Sequence, residues 1–204
     1  MGVGMKTNLD YWENQCSIEK LKSWCHTDAP WKSMIIEKLI KLKPISVLDV
    51  GCGTAHMGEM FRALNLKVKY KGVERTPKFV EYSKKNGFDC SYGDVQSLKV
   101  KDSSYECVLC LDVLNYCLDP KPALEELSRV SSDKVVLSFF KAWGTGEITK
   151  RKDGSGLCEN FFNLEEFKKS IQSANMKIIK EVYTSSALKG PRIIICEIEK
   201  RGEK

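Results

Sequence analysis

The nine residues from Val47 to Ala55 constrain this chain more than any other segment. They read Val-Leu-Asp-Val-Gly-Cys-Gly-Thr-Ala, so an apolar run gives way to two closely spaced glycines. This pattern is typical of a buried strand that turns sharply and opens a helix. Because Gly51 and Gly53 carry no Cβ, their backbone can approach a nucleotide-like ligand closely. The segment therefore predicts a ligand site at the carboxyl end of the first strand of an α/β sheet.

Strand and helix patterns alternate after Pro44. Apolar runs predict five strands, separated by helical spacing of apolar residues, at about 45–50, 68–73, 89–92, 105–111 and 134–140. Two further strands, at about 177–183 and 192–199, follow one another without a helix and should pair as a hairpin. We therefore predict a Rossmann-like, doubly wound α/β fold. Its seven-stranded sheet is mostly parallel, with a C-terminal antiparallel hairpin.

The 204 residues are enough for one α/β domain with a substantial core. Apolar residues at helical spacing predict a helical preface over residues 1–44, ahead of a ligand-binding domain over 45–204. We find no apolar run of about 18 residues and no signal-peptide pattern, which speaks against a membrane span or secretion. The nine cysteines are then expected to be reduced and mostly buried, in a cytoplasmic protein.

Two clusters have simple structural explanations. Cys107 and Cys110 form a CxxC inside a predicted strand, where residues three apart point to opposite faces. A metal clamp or redox pair is not expected there, and we predict no metal site.

The net charge of +6 is spread over solvated lysines. The basic run at 150–152 is either a solvated loop or a cluster that attracts an anionic substrate. No basic stripe interleaved with aromatic residues indicates nucleic-acid binding.

Acidic residues follow three further predicted strands. Glu74, Asp94 and Asp112 stand at the ends of the second, third and fourth strands. Ligands of open α/β sheets bind outside the carboxyl ends of the strands, so these side chains should converge beside the glycine turn. Glu74 follows Gly51 by the distance expected of an acid that accepts both hydroxyls of a ribose.

Competing nucleotide sites fit the glycine turn less well. A phosphate-binding Walker loop needs a lysine after its glycines, and none is present here. A dinucleotide fingerprint has a third glycine at the position of His56. An NAD-dependent oxidoreductase would use Glu74 equally well, so it stays open as an alternative that His56 and the terminal hairpin disfavour.

Four motifs in order resemble the class I S-adenosylmethionine (SAM)-dependent methyltransferases, in particular the type-11 group. The first is the run from Val47 to Thr54. The second is Gly72-Val-Glu74, the third begins at Gly93-Asp-Val, and the fourth runs from Leu111 to Pro120. The resemblance covers about residues 45–140, and the terminal hairpin fits the family's sheet. It implies SAM as cofactor and methyl transfer as the activity.

Matching positions imply roles for individual residues. The resemblance assigns Asp49 to the methionine amino group and Glu74 to the ribose hydroxyls. Asp94 and the Val95 amide would recognise adenine. The cofactor would be lined by Gly51, Cys52 and Gly53, with Leu111 and Asp112 beneath its methionine portion. Ala55 replaces a frequent third glycine, which we expect to be a mild change.

Tyr116 departs from the family pattern, because many relatives have histidine there. It is our candidate catalytic residue, in contact with the substrate, and packing in the loop is the alternative. Tyr11 and Trp12 either close over the ligand or anchor the preface. The acceptor is unidentified, with a small molecule preferred over protein or RNA. A non-catalytic SAM-binding subunit of a methyltransferase complex is the rival function.

Overall fold

The computed structural model describes residues 8–25, 30–140, 143–151, 153–183 and 191–199. Within these ranges, seven strands form the main sheet and two form a small hairpin. Numbered along the chain, they are β1 (Ser46–Val50), β2 (Lys69–Glu74), β3 (Cys90–Tyr92), β4 (Tyr105–Leu111), β5 (Ser131–Ser138), β6 (Ile148–Lys150), β7 (Cys158–Asn160), β8 (Met176–Val182) and β9 (Ile193–Ile198).

The main sheet has the order β3-β2-β1-β4-β5-β9-β8. Its first five strands are parallel, and β9 runs antiparallel to both β5 and β8. The predicted doubly wound sheet with a terminal antiparallel hairpin is confirmed. Because the strand order reverses between β1 and β4, this is the switch point where open α/β sheets bind ligands.

Helices cover both faces of the sheet, as the alternation of patterns predicts. They are α1 (Ile18–Cys25), α2 (Pro30–Leu42), α3 (His56–Ala63), α4 (Pro77–Lys85), α5 (Lys121–Val130) and α6 (Leu164–Ser173). On one face, Leu124 of α5 and Ile171 of α6 belong to a core cluster with β1, β4 and β5. On the other face, Leu39 of α2 and Phe61 of α3 pack against the same strands.

The predicted preface packs onto the rest of the chain. A π-helical turn at Tyr11–Gln15 precedes α1 and α2, and α2 contributes Ile35 and Leu39 to the core beneath the sheet. Pro44 follows α2, as the sequence indicates. The division of the chain at residue 44 stays a prediction.

Two local expectations differ from the structure. The segment 143–156 is rich in Gly and Lys, which predicts a mobile excursion over the carboxyl edge of the sheet, yet its residues Ile148–Lys150 form β6, which pairs with β7. A three-residue strand is too short to produce a period-two pattern, so the sequence carries no signal for it. Likewise β5 begins at Ser131, three residues before the predicted start. The prediction missed Ser131–Asp133 because these residues are polar and do not extend the apolar run.

The CxxC in β4 behaves as predicted. Cys107 packs into the core cluster on one face of the sheet and Cys110 into the cluster on the other. Within the described ranges, no cluster of three or more His, Cys, Asp or Glu side chains is arranged to hold a metal ion. Those ranges also contain no helix that is both long and apolar enough to cross a bilayer.

The sequence predicts two helix starts, one with Thr76 as the cap before Pro77 and one with Asn163 and Glu166 as a capping box, and their outcomes differ. Asn163 Oδ1 accepts the N–H groups of Glu165 and Glu166 at 3.1 and 3.2 Å, which confirms the cap of α6. Thr76 stands at the N-cap position of α4, before Pro77, but its side chain makes no capping bond there. Its N–H instead donates to Glu74 Oε1 at 2.8 Å, so this residue serves the ligand site.

Replacing Asn163 tests the cap of α6. Asn163→Ala leaves two N–H groups of the first turn without their acceptor, so we expect a loss of about 1 kcal/mol in the free energy of unfolding. Urea denaturation followed by circular dichroism measures this loss. Asn163→Ser retains an acceptor oxygen and is the matched control. Equal destabilisation by both substitutions would contradict the capping role.

Candidate functional site

A cavity of about 490 Å³ opens at the carboxyl ends of β1, β2, β3 and β4. The residues that the sequence places at a ligand site come from four separate strand ends. All of them line this one cavity, namely Asp49, Gly51, Cys52, Gly53, Glu74, Asp94, Val95, Leu111, Asp112 and Tyr116. The sheet topology thus brings together residues that span almost seventy positions of the chain.

The glycine turn after β1 depends on missing side chains. Gly51 has a φ of +74°, and a Cβ there would lie 2.3 Å from Val113 Cγ2. Its N–H donates to the Val73 carbonyl at 2.7 Å, which holds the turn against β2. Ala55 also has a positive φ, of +61°, and is fully buried. Ala55 thus carries its Cβ in a left-handed backbone conformation that favours glycine, although the sequence suggested only a mild change there.

The Glu74 carboxylate joins the ends of β1 and β2. Its Oε2 accepts the Gly53 N–H at 2.9 Å and its Oε1 accepts the Thr76 N–H at 2.8 Å. Burial raises the pKa of Glu74, and these backbone hydrogen bonds oppose that rise. The carboxylate lines the cavity, so hydroxyl groups of a ligand there can donate to it.

Asp49 is a second buried acid on the cavity wall. It is only 3% exposed, and its Oδ2 accepts the Tyr70 hydroxyl at 2.9 Å. Burial raises the pKa of Asp49 to about 7, helped by the negative charge of Glu74 and opposed by the Tyr70 bond. A cation in the cavity would favour the charged form of both acids.

Asp94 and Val95 follow β3 at the far end of the cavity. Asp94 Oδ1 accepts the Gln96 N–H at 2.9 Å, which makes a tight turn around the carboxylate. Its Oδ2 lies 3.5 Å from Arg75 Nε in an ion pair. The turn presents an acceptor side chain beside a backbone amide, a combination that suits the edge of a planar base.

Asp112 lines the cavity, but its carboxylate already has protein partners. Arg192 binds both carboxylate oxygens, at 2.5 and 2.7 Å, and the Ser138 hydroxyl donates to one of them at 2.8 Å. Asp112 also has a φ of +58°. The residue therefore holds the turn after β4 in place. No sequence motif indicates Arg192, eighty positions later, as its partner.

Tyr116 belongs to an aromatic wall of the cavity. Its ring lies 5.1 Å from that of Trp12, edge to face, and 5.4 Å from that of Phe140. Burial raises the pKa of Tyr116, so its phenol is protonated at neutral pH. The ring can contact a substrate, whereas proton abstraction is not favoured.

The N-terminal segment covers the cavity and is fastened by Asn8. The Asn8 amide donates to the carbonyls of Tyr116 and Cys158 at 3.0 and 3.1 Å, and its Oδ1 accepts the Cys158 N–H at 2.7 Å. Tyr11 is buried beside Phe79 and anchors the segment. Trp12 lines the cavity instead, so the two aromatic residues divide the roles expected of them.

Two basic cavity residues, Lys32 and Arg75, fell outside the sequence prediction, whereas Arg151 and His56 belong to features that the sequence had singled out. Lys32 and Arg75 line the wall, and Lys32 Nζ bonds the backbone carbonyls of Trp24 and Cys25. Arg151, from the basic run, also lines it and pairs with Glu159 at 2.8 Å. Lys152 lies outside the described residues. His56, at the start of α3, lies on the wall 3.6 Å from Glu59. Lys32 and Arg75 come from separate elements, so no local motif could identify them.

Comparison with known proteins agrees with this architecture. A family described as "Methyltransferase domain" matches residues 48–139, which include the last three residues of β1, the glycine turn and all of β2 to β5. The magnesium protoporphyrin IX methyltransferase of Synechocystis PCC 6803, solved with bound S-adenosylhomocysteine (SAH), has a similar structure. Its TM-score is 0.72 at 16% identity, with 96% of this chain and 100% of that chain covered.

The curated relatives match this chain over only about half of their own length. The demethylmenaquinone methyltransferase of Thermotoga maritima is 23% identical over 109 residues, covering 52% of this chain and 48% of the relative. The malonyl-[acyl-carrier protein] O-methyltransferase of Serratia marcescens is 23% identical over 145 residues, covering 68% of this chain and 56% of the relative. The chain thus spans about half the length of these two relatives.

The raised pKa of Asp49 predicts a pH-dependent stability. Folding raises this pKa from its ordinary 3.8 to about 7. Between these values the unfolded chain has released a proton that the folded chain keeps, so stability falls as pH rises through this window. Asp49→Asn removes this titration and leaves Glu74 in place. We therefore expect its melting temperature to fall less than that of the wild type between about pH 4 and pH 8.

Thermal melting followed by circular dichroism at several pH values measures the difference. The variant should be the more stable protein at the alkaline end, because it no longer buries a charge. An equal fall of the melting temperature with pH in the two proteins would contradict a raised pKa at Asp49.

Proposed function

Because the chain contains a class I SAM-dependent methyltransferase domain, we propose that it transfers the methyl group of SAM to a small-molecule acceptor. The observation that carries this proposal is the single cavity that joins the glycine turn, Glu74 and Asp94 to the aromatic wall at Tyr116. Its volume of about 490 Å³ lies within the range of small-molecule and cofactor sites.

The residues present fit the cofactor. Glu74 presents a carboxylate to the cavity, which suits the two hydroxyls of a ribose. Asp94 and the Val95 amide suit the edge of adenine. Asp49 and Glu74 are buried acids beside the cavity, and a ligand with an ammonium and a sulfonium offsets the cost of their charge.

Bound SAM supplies a methyl group already activated by its sulfonium. The protein's task is then to orient an acceptor atom in line with that group, and such orientation can contribute roughly 7–11 kcal/mol. Gly51 and Gly53 let the backbone approach, and Leu111 and Asp112 support the methionine portion from below. Tyr116 contacts the acceptor through its ring. The N-terminal segment, fastened by Asn8, excludes water from above.

The covered cavity favours a small acceptor over a macromolecule. Asn8 is 4% exposed and ties the N-terminal segment to both Tyr116 and Cys158, so the acceptor must fit beneath it. The aromatic wall formed by Trp12, Tyr116 and Phe140 suits an apolar or planar molecule. The names of the curated relatives cover different acceptors and do not narrow the choice.

Labelled SAM tests the proposal directly. The isolated chain is incubated with methyl-labelled SAM and a cell extract separated into small molecules, protein and RNA. Label in the small-molecule fraction supports the proposal, and label in protein or RNA refutes its acceptor class. Tight SAH binding without transfer to any fraction would indicate the rival function, a non-catalytic SAM-binding subunit. Titration with NADH under the same conditions tests the oxidoreductase alternative.

Glu74→Ala should weaken binding of SAH at least tenfold, or about 1.4 kcal/mol, because it removes the ribose acceptor and releases the Gly53 N–H. Isothermal titration calorimetry measures the affinity. Glu81→Ala, on the exposed side of α4, is the control with an equal change in charge. An unchanged affinity in a folded Glu74→Ala protein would contradict the assignment.

Tyr116 is tested by a pair of substitutions. Tyr116→Phe keeps the ring contacts with Trp12 and Phe140, so we expect kcat/KM within about threefold of the wild type. Tyr116→Ala removes the ring and should lower kcat/KM at least about tenfold, with a smaller effect on SAH affinity. A large loss of kcat in Tyr116→Phe would show instead that the hydroxyl takes part in the reaction.

A further inference from the structure

Two of the nine cysteines lie in contact beside the cavity. Cys52 Sγ, in the glycine turn, is 3.5 Å from Cys90 Sγ at the start of β3. Both residues are buried, with 7% and 2% of their surface exposed. Val80 of α4 packs with them in a small cluster separate from the main cores. The pair therefore joins the ligand-binding turn to the third strand across β2.

Gly72 makes room for this pair. It lies on β2, between the two cysteines, and pairs in register with Cys90. A Cβ at Gly72 would lie 2.6 Å from Cys52 Sγ and 3.4 Å from Cys90 Sγ. With no side chain between them, the two sulfur atoms can meet above the strand.

The cavity gives small reagents access to this pair. Cys52 lines the cavity wall, whereas Cys90 lies behind it. The hydrogen bond between the two sulfur atoms, together with burial, raises the pKa of Cys52, and the same bond lowers the pKa of Cys90. Cys52 is therefore a protonated thiol that can pass its proton to the Cys90 sulfur as it reacts. A sulfur on a cavity wall, in contact with a second sulfur behind it, has the geometry of a cysteine and its resolving partner.

We propose that a hydroperoxide entering the cavity converts Cys52 and Cys90 into a reversible disulfide that blocks cofactor binding. The Cys52 sulfur attacks the peroxide, breaks the O–O bond and becomes a sulfenic acid, and the displaced oxygen leaves as water or alcohol. The Cys90 sulfur then attacks Cys52, and the sulfenic oxygen leaves as water together with the remaining thiol proton. Two thiols are oxidised and one peroxide is reduced.

Blocking follows from how the turn is held. A disulfide requires the sulfur atoms to approach to about 2.05 Å, so Cys52 must shift toward Cys90. The N–H groups of Gly51 and Cys52 both donate to Val73 O, at 2.7 and 3.2 Å, and the Gly53 N–H donates to Glu74. Moving Cys52 therefore disturbs the turn and the ribose acceptor together. This second half of the proposal rests on the proposed function.

Peptide mapping without reductant tests whether Cys52 and Cys90 form a disulfide. The protein is treated with a small excess of hydrogen peroxide, blocked with an alkylating agent and digested. We expect a linked peptide pair containing Cys52 and Cys90, which dithiothreitol separates. A Cys25→Ser, Cys117→Ser double variant lacks two other cavity-lining cysteines and should form the same link. Bound SAH should slow the reaction, because it shields Cys52.

Calorimetry tests whether this disulfide blocks cofactor binding. We expect oxidation to weaken SAH binding at least about tenfold and reduction to restore it. Cys90→Ser, which cannot form the disulfide, should retain its affinity through a brief peroxide treatment. Absence of the linked peptide in a reduced protein that binds SAH would overturn the disulfide alone. A link that leaves SAH affinity unchanged, or an equal loss of affinity in Cys90→Ser, would overturn the blocking mechanism. No SAH binding by the reduced protein would refute the proposed function instead, whether or not the link forms.

Discussion

The Glu74 carboxylate is the contact on which the ligand site depends. By accepting the N–H groups of Gly53 and Thr76, it joins the turn after β1 to the end of β2 and the start of α4. Charge-assisted hydrogen bonds of this kind are stronger than neutral ones. The same acid that would bind a ribose therefore also shapes the wall around it, so binding and local architecture cannot be varied separately at this position.

The electrostatics of the cavity suit a cationic ligand. Burial raises the pKa values of Asp49 and Glu74, and each acid is stabilised by hydrogen bonds from its own surroundings. The wall thus carries charge at a cost that a positive ligand offsets. Trp12, Tyr116 and Phe140 present ring surfaces to the same cavity. The cavity therefore offers both buried acids and aromatic rings to a ligand.

The sequence predicted what local patterns and sheet topology determine. The glycine turn, Glu74 and Asp94 each follow a predicted strand, and the rule that such ends meet at a switch point placed them together. The β6–β7 hairpin was not predicted, because a strand of three residues is too short to show the alternation of apolar and polar residues. The Asn8 bonds and the Asp112–Arg192 pair were not predicted because they join residues far apart in the chain. Such contacts depend on side-chain placement in the finished fold.

The Asp112–Arg192 pair has a consequence for how the site is completed. Arg192 immediately precedes β9 and meets an acid eighty residues earlier in the chain. Without β9 and the residue before it, the turn after β4 lacks its counterion, whereas the pairing of β1 with β2 and β4 does not involve that strand. A chain interrupted before Arg192 would therefore keep most of the cavity wall but lose the partner of Asp112.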